Sequence, residues 1–186
     1  MSTELGESFV GDGAEAAHVN TVLGALGGPV ETAWVTALAT PRQGHAAFVV
    51  AIQPGIAVRP FTLFVNKAAI EGERHARLTW GAAQAGVAAG VMDAVADGTL
   101  AEGEAAALLH IAAVWVNPDA ADERAVFENN RAATAEALRA GRDGRPTAAE
   151  ARWRCGATRS TRTTALERYG DGGGADPARP GQPRRP

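Results

Sequence analysis

Cysteine is almost absent from this 186-residue chain, which contains Cys155 alone. A single cysteine cannot form an intrachain disulfide, so the class of small disulfide-stabilised secreted domains is excluded. No uncharged stretch reaches the roughly 18 apolar residues of a membrane-spanning helix, and residues 1–10 lack the basic start and apolar run of a signal peptide. We therefore expect a cytoplasmic protein that is neither exported nor inserted in a membrane.

Aromatic residues and lysine are scarce as well. Aromatic residues make up 5% of the chain, and Lys67 is the one lysine beside seventeen arginines. The apolar fraction of 46% is still that of a globular protein, so the core must consist mainly of Ala, Val and Leu. A lysine in such a chain suits an anionic ligand or a reactive aldehyde, and the structural alternative is a surface lysine at a strand end.

Common catalytic motifs are missing, including the nucleophile elbow, the P-loop, the H-E-x-x-H zinc motif and the dinucleotide-binding glycine motif. The four histidines occupy different segments without metal-ligand spacing, so no metal site is predicted. His110 begins an apolar stretch and is predicted to be a hydrogen-bonded residue of the core or of a strand end. His75 lies among charged residues and is predicted to be solvated.

The net charge of −3 is unevenly distributed. Residues 141–186 contain ten arginines and five acidic residues, a net charge of +5 that leaves −8 on the rest of the chain. An acidic body argues against nucleic-acid binding. We predict one domain over residues 1–141 and a basic Arg/Gly/Pro-rich tail over 142–186, which is either disordered or recruits an anionic partner.

Hydrophobic periodicity predicts an α+β fold, a mixed sheet with helices packed on it. In chain order the predicted elements are a strand over 16–23, a helix over 29–39, strands over 46–53 and 61–70, a helix over 80–97, a central strand over 109–116 and a helix that stops before Gly141. Pro29 at a first helical position and Gly141 just beyond the last helix are the clearest end signals.

The first predicted strand carries two polar side chains on one face. Side chains alternate along a strand, so His18 and Asn20 point the same way while their neighbours face a core. This arrangement is typical of an edge or a cleft. Imidazole exchanges protons near neutral pH, so His18 is a candidate general acid or base.

Seven segments, at 10–19, 27–33, 62–67, 80–88, 93–98, 109–116 and 129–134, carry a resemblance that covers residues 5–141. They include VGDGAEAAHV, GGPVETA, TLFVNK and WGAAQAGVA. Together they resemble the formaldehyde-activating enzyme family. The resemblance implies a hydro-lyase that condenses formaldehyde with tetrahydromethanopterin to methylenetetrahydromethanopterin and water. It also implies a ribosomal protein S5 domain 2-like fold and a homopentamer with active sites between subunits.

The resemblance also assigns site residues. The family's catalytic histidine falls on His18. Its pterin-binding positions fall on Asn20, Val49, Lys67, Ala69 and Gln84. Asn20 stands where the family has an aspartate, and Ala69 replaces a residue with a hydroxyl group. These two departures leave alternatives open: a homologue that binds a pterin or formaldehyde without catalysis, a paralogue that uses another amine, or an assembly module with a recruiting tail.

Overall fold

The computed structural model of the chain describes residues 2–150. Of these, residues 2–145 form one compact unit, and a second unit begins at Pro146. In the second unit, Thr147 and Glu150 exchange hydrogen bonds between backbone and side chain in the manner of a capping box. Most of the predicted basic tail, residues 151–186, lies outside the described residues, and the domain boundary near residue 141 stays a prediction.

The first unit contains seven strands and five α-helices among the described residues. In chain order they are β1 (Glu4–Val10), β2 (Ala17–Ala25), α1 (Pro29–Ala39), β3 (Phe48–Val49), β4 (Ala51–Gln53), β5 (Ile56–Ala57), β6 (Phe61–Asn66), α2 (Gly72–Arg77), α3 (Gln84–Ala96), α4 (Glu102–Ala105), β7 (Leu108–Trp115) and α5 (Glu123–Arg142). A π-helical segment, Leu78–Ala83, joins α2 to α3. Pro29 does begin α1, as predicted.

Five strands form a mixed sheet in the order β1-β2-β7-β6-β3. The β6–β7 pair is parallel and the other pairs are antiparallel. The strands β4 and β5 form a separate hairpin. The predicted α+β class with a mixed sheet is therefore confirmed, as is the central place of β7.

Two long helices cover one face of the main sheet. The helix α5 packs across β1 and β2, and α3 packs against α5. Their closest approach occurs where a Cβ at Gly86 would lie 2.5 Å from the Phe127 carbonyl oxygen, and one at Gly90 would lie 2.4 Å from that of Arg131. Glycine at these positions therefore sets the helix spacing. At Gly81, in the π-helical segment, an added Cβ would meet no atom within 4 Å.

Several element boundaries differ from the sequence-based expectation. The strand β1 was not expected at all, and the helix expected from residue 80 begins at Gly72 and continues through the π-helical segment. Gly141 lies inside α5, whose last residue is Arg142. The left-handed residue beyond the helix is Gly144, with φ of 62°, so the tight turn comes three residues later than predicted.

The prediction for His110 is confirmed, and that for His75 is wrong. His110 is fully buried, and its Nδ1 lies 3.0 Å from Thr62 Oγ1. His75 is also buried: its Nδ1 accepts from the Glu71 N–H, and its Nε2 hydrogen-bonds the Val116 carbonyl oxygen. The His75 side chain thus ties the start of α2 to the chain that follows β7, a tertiary role that its charged sequence neighbours do not reveal.

Among residues 2–150, no helix combines the length and apolar character that crossing a membrane requires.

Candidate active site

The sheet face opposite α3 and α5 carries the polar residues of β2. Ala17 and Val19 are buried toward the helices, whereas the alternating residues His18 and Asn20 are half-buried. Cross-strand partners share a face, so Glu7, which pairs with Asn20, lies on this side as well. We call this surface, marked by Glu7, His18 and Asn20, the open face.

A carboxylate and an imidazole meet on the open face. His18 Nε2 lies 2.6 Å from Glu7 Oε1, across the β1–β2 pair. The hydrogen bond from His18, followed by one from Asn20, lowers the pKa of the Glu7 carboxyl below its usual value of 4.5. Glu7 is therefore ionised at neutral pH and can only accept, so the hydrogen between the two groups resides on His18 Nε2.

Lys67 reaches Asn20 on the open face from the other side of β7. The Lys67 backbone N–H donates to the Val114 carbonyl oxygen at 2.8 Å, and its Nζ donates to Asn20 Oδ1 at 2.7 Å. The β7 residue that pairs with Asn20 is Ala113, whose methyl group leaves room for the lysine chain to pass. Burial lowers the pKa of Lys67 from 10.5, and the negative charge of Glu7 acts in the opposite direction.

The four side chains form one hydrogen-bonded network, which we call the polar cluster: Lys67 donates to Asn20, Asn20 hydrogen-bonds Glu7, and His18 donates to Glu7. The side chains of His18 and Glu7 are 35% and 61% exposed, so a ligand on the open face can contact both. A carboxylate, an imidazole, an amide and an ammonium group in this arrangement can exchange protons and orient a polar heterocycle.

The other three predicted site residues have different neighbours. Val49 pairs with Leu63 on the far edge of the sheet. The Ala69 methyl lies against Gly44. Gln84 begins α3, and its Oε1 accepts a 2.9 Å hydrogen bond from the Ala51 N–H. Hydrogen bonds thus unite His18, Asn20 and Lys67, while the remaining positions surround the β3–β4 region and the end of β6.

Glu7, the fourth member of the polar cluster, is not among the site residues predicted from the sequence. The reason is that β1 was not recognised as a strand, since its apolar positions are interrupted by Gly6 and Ser8. A usable signal was present: a hairpin centred near Gly13 pairs residue 7 with residue 20. That pairing alone would have placed a carboxylate beside Asn20.

Metal ligands are not gathered in the part of the chain that the structure describes. Residues 2–150 contain no group of three or more His, Cys, Asp or Glu side chains that could hold a metal ion. The polar cluster offers one imidazole and one carboxylate beside a lysine.

Comparisons with known proteins point to a single family. Residues 5–158 match the family described as formaldehyde-activating enzyme (Fae). The 5,6,7,8-tetrahydromethanopterin hydro-lyase of Methanosarcina barkeri is 43% identical over 151 residues, which are 81% of this chain and 85% of that protein. A bifunctional enzyme Fae/Hps from Methanococcoides burtonii is 35% identical over 142 residues, 76% of this chain but 36% of that longer protein. On the strength of this match over most of its length, the chain belongs to the formaldehyde-activating enzyme family.

Proposed function

We propose that this protein condenses formaldehyde with tetrahydromethanopterin, a co-substrate, to give methylenetetrahydromethanopterin and water, with His18 as the general acid. The family and the name of the Methanosarcina barkeri relative support the reaction. The observation that supports the role of His18 is its 2.6 Å hydrogen bond to Glu7 on a face that a ligand can reach.

The reaction needs a proton donor at one step. Addition of a pterin amine to formaldehyde gives a carbinolamine, N–CH2–OH. When His18 protonates the hydroxyl oxygen, the C–O bond breaks, water leaves, and the nitrogen lone pair forms the C=N bond of an iminium ion. The second pterin amine attacks that carbon, and the proton it loses returns to His18, which restores the acid.

Formaldehyde itself presents almost no surface to bind, so the rate must depend on how the pterin is held. We assign that task to Asn20, Val49, Lys67, Ala69 and Gln84. Lys67 and Asn20 supply polar contacts beside the acid, and the carboxamide nitrogen of Gln84 is a further donor at the β4 strand. Asn20 gives a neutral amide contact and Ala69 a van der Waals contact only.

We further propose that the protein works in the cytoplasm as a homopentamer with sites between subunits, and that its fold is of the ribosomal protein S5 domain 2-like type. Exposed apolar side chains beside the polar cluster support assembly: Leu5 and Phe9 of β1 are 65% and 62% exposed. Both lie on the open face, because they share the strand parity of Glu7. Large exposed apolar groups around a polar site are typical of an interface.

The deciding measurement is the rate of methylenetetrahydromethanopterin formation from formaldehyde and tetrahydromethanopterin. Three samples are compared: the wild type, His18→Ala and buffer without protein, because the reaction also proceeds uncatalysed. We expect the wild type to exceed the buffer rate and His18→Ala to lose the catalysed rate by about 100-fold or more, the usual contribution of a positioned acid.

A wild-type rate equal to that of buffer would overturn the proposal. Calorimetric titration with the pterin would then separate a non-catalytic binding protein, which still binds, from a paralogue that uses another amine, which does not.

A further inference from the structure

His18 has a fixed partner whose role the proposed reaction leaves open. The Glu7 carboxylate accepts from His18 Nε2 at 2.6 Å, and its neighbour in the cluster, Asn20, is itself held by Lys67. Glu7 and His18 are diagonal neighbours on adjacent strands, two residues apart in register, since Glu7 pairs with Asn20 and His18 with Phe9. Strand pairing therefore fixes the backbone positions from which the Glu7 carboxylate and the His18 ring meet. Neither residue lies on a loop.

A charged side chain approaches the Glu7–His18 pair from the end of β6: Lys67, whose Nζ donates to Asn20. Glu7 is the one carboxylate of the polar cluster, because position 20 carries an amide. The negative charge beside the His18 ring is therefore that of Glu7.

We propose that Glu7 is a positioning residue: it holds the His18 ring with Nε2–H directed at itself and thereby leaves Nδ1 as the nitrogen that delivers the proton. This inference rests on the proposed function. It gives the site an acid with one assigned proton-donating atom and supplies the carboxylate that Asn20 does not.

Proton movements follow from this assignment. In the dehydration step the Nδ1–H bond breaks and a new O–H bond forms on the carbinolamine hydroxyl, which departs as water. His18 is left neutral with its proton on Nε2, still donated to Glu7. The proton released when the second amine closes the ring returns to Nδ1. Glu7 stays ionised throughout, as the carboxylate of a Ser-His-Asp triad does.

The test combines kinetics with the tautomer of the histidine. Glu7→Gln keeps the side-chain shape and removes the charge, and Glu7→Asp keeps the charge on a shorter side chain. Ser8→Ala is the matched control, because Ser8 is the next residue of β1 and points to the opposite face. This variant loses the 2.8 Å hydrogen bond from Ser8 to Glu136 but leaves the polar cluster unchanged. Steady-state rates are measured for each variant with saturating and limiting pterin.

We expect kcat to fall about 10- to 100-fold in Glu7→Gln, less than in His18→Ala, with little change in KM. Glu7→Asp should recover part of the loss, and Ser8→Ala should match the wild type. Histidine 15N NMR supplies an independent readout, with the His18 signals identified by their absence in His18→Ala. The wild type should show the Nε2–H tautomer, and Glu7→Gln should show a mixture of tautomers.

The outcomes separate the two proposals. If the wild type is active, His18→Ala is inactive and Glu7→Gln keeps the wild-type kcat and tautomer, the role of Glu7 is overturned while the proposed function stands. If the wild-type rate equals that of buffer, the proposed function fails and the catalytic part of this inference fails with it. A loss in Ser8→Ala equal to that in Glu7→Gln would attribute the effect to a damaged β1.

Discussion

His18 and His110, on the neighbouring strands β2 and β7, differ in their exposure and in their hydrogen-bond partners. His18 is partly exposed and donates to a carboxylate, which suits proton exchange with a ligand. His110 is fully buried, its Nδ1 faces the Thr62 hydroxyl, and within residues 2–150 its Nε2 has no hydrogen-bond partner. Burial alone lowers the pKa of His110 to about 3. The same side chain is thus a candidate acid at one position and a neutral core group at the other.

The buried histidine makes stability depend on pH. The folded-state pKa of His110, about 3, lies below the ordinary 6.5, so below pH 6.5 the unfolded chain binds the proton first. The contribution of neutral His110 to the free energy of unfolding is fully present above pH 6.5. It is lost as the pH falls toward 3, by about 1.4 kcal/mol per pH unit.

Urea unfolding at pH 7 and pH 4.5 checks this prediction. Carboxylates that begin to titrate near pH 4.5 are the same in the wild type and in the variant, so their contribution to the free energy of unfolding cancels in the comparison. The free energy of unfolding of the wild type should drop about 2–3 kcal/mol more than that of His110→Asn, which keeps a donor toward Thr62 but does not titrate. Equal drops in the two proteins would show that His110 does not cause the dependence.

At the scale of elements, helices with local end signals were predictable and short strands were not. The start of α1 follows from Pro29, which occupies a first helical position. The α5 helix begins after Asp122, whose side chain accepts from the Arg124 and Ala125 N–H groups, a local capping signal. In contrast, β3 and β5 are two residues long, and a pattern needs more residues than that to be recognised.

The close packing of α3 against α5 leaves no room for a side chain at residue 86. Gly86→Ala would place a Cβ 2.5 Å from the Phe127 carbonyl oxygen, a backbone atom that cannot move alone. Overpacking of this kind costs about 1–3 kcal/mol and outweighs the helix propensity of alanine, about 1 kcal/mol. We expect a net loss of up to about 2 kcal/mol in the free energy of unfolding.

The matched control is Gly81→Ala, where the added methyl group meets no atom within 4 Å. Chemical denaturation of both variants should show Gly81→Ala unchanged or stabilised. If the two variants were equally stable, the close approach of the two helices would not limit the side chain at residue 86.

For the whole molecule, the division of the sheet into two faces matters most. One face is buried under α3 and α5, and the open face combines the polar cluster with exposed apolar residues. An apolar rim in water is unfavourable, so burial against a second copy is the expected outcome. Such burial would also exclude water around the polar cluster.

The proposed assembly is tested by placing a charge in that rim. Native mass spectrometry of the wild type should show a pentamer, and Leu5→Glu on the open face should shift it toward monomers. Met92→Glu is the control, because Met92 is 46% exposed but lies on α3, on the other side of the sheet. Dissociation by Met92→Glu but not by Leu5→Glu would place the interface elsewhere, and a monomeric wild type would refute the assembly.

Local patterns along the chain are enough to predict the α+β class, the ends of α1, the central place of β7 and the shared face of His18 and Asn20. These features are local, because periodicity and end signals depend on residues a few positions apart. The contact between Lys67 and Asn20, 47 positions apart, and the contact between Glu7 and His18 depend on how the strands are arranged in the folded sheet. Periodicity states which face a side chain occupies, but strand order and register state which side chains are neighbours on that face.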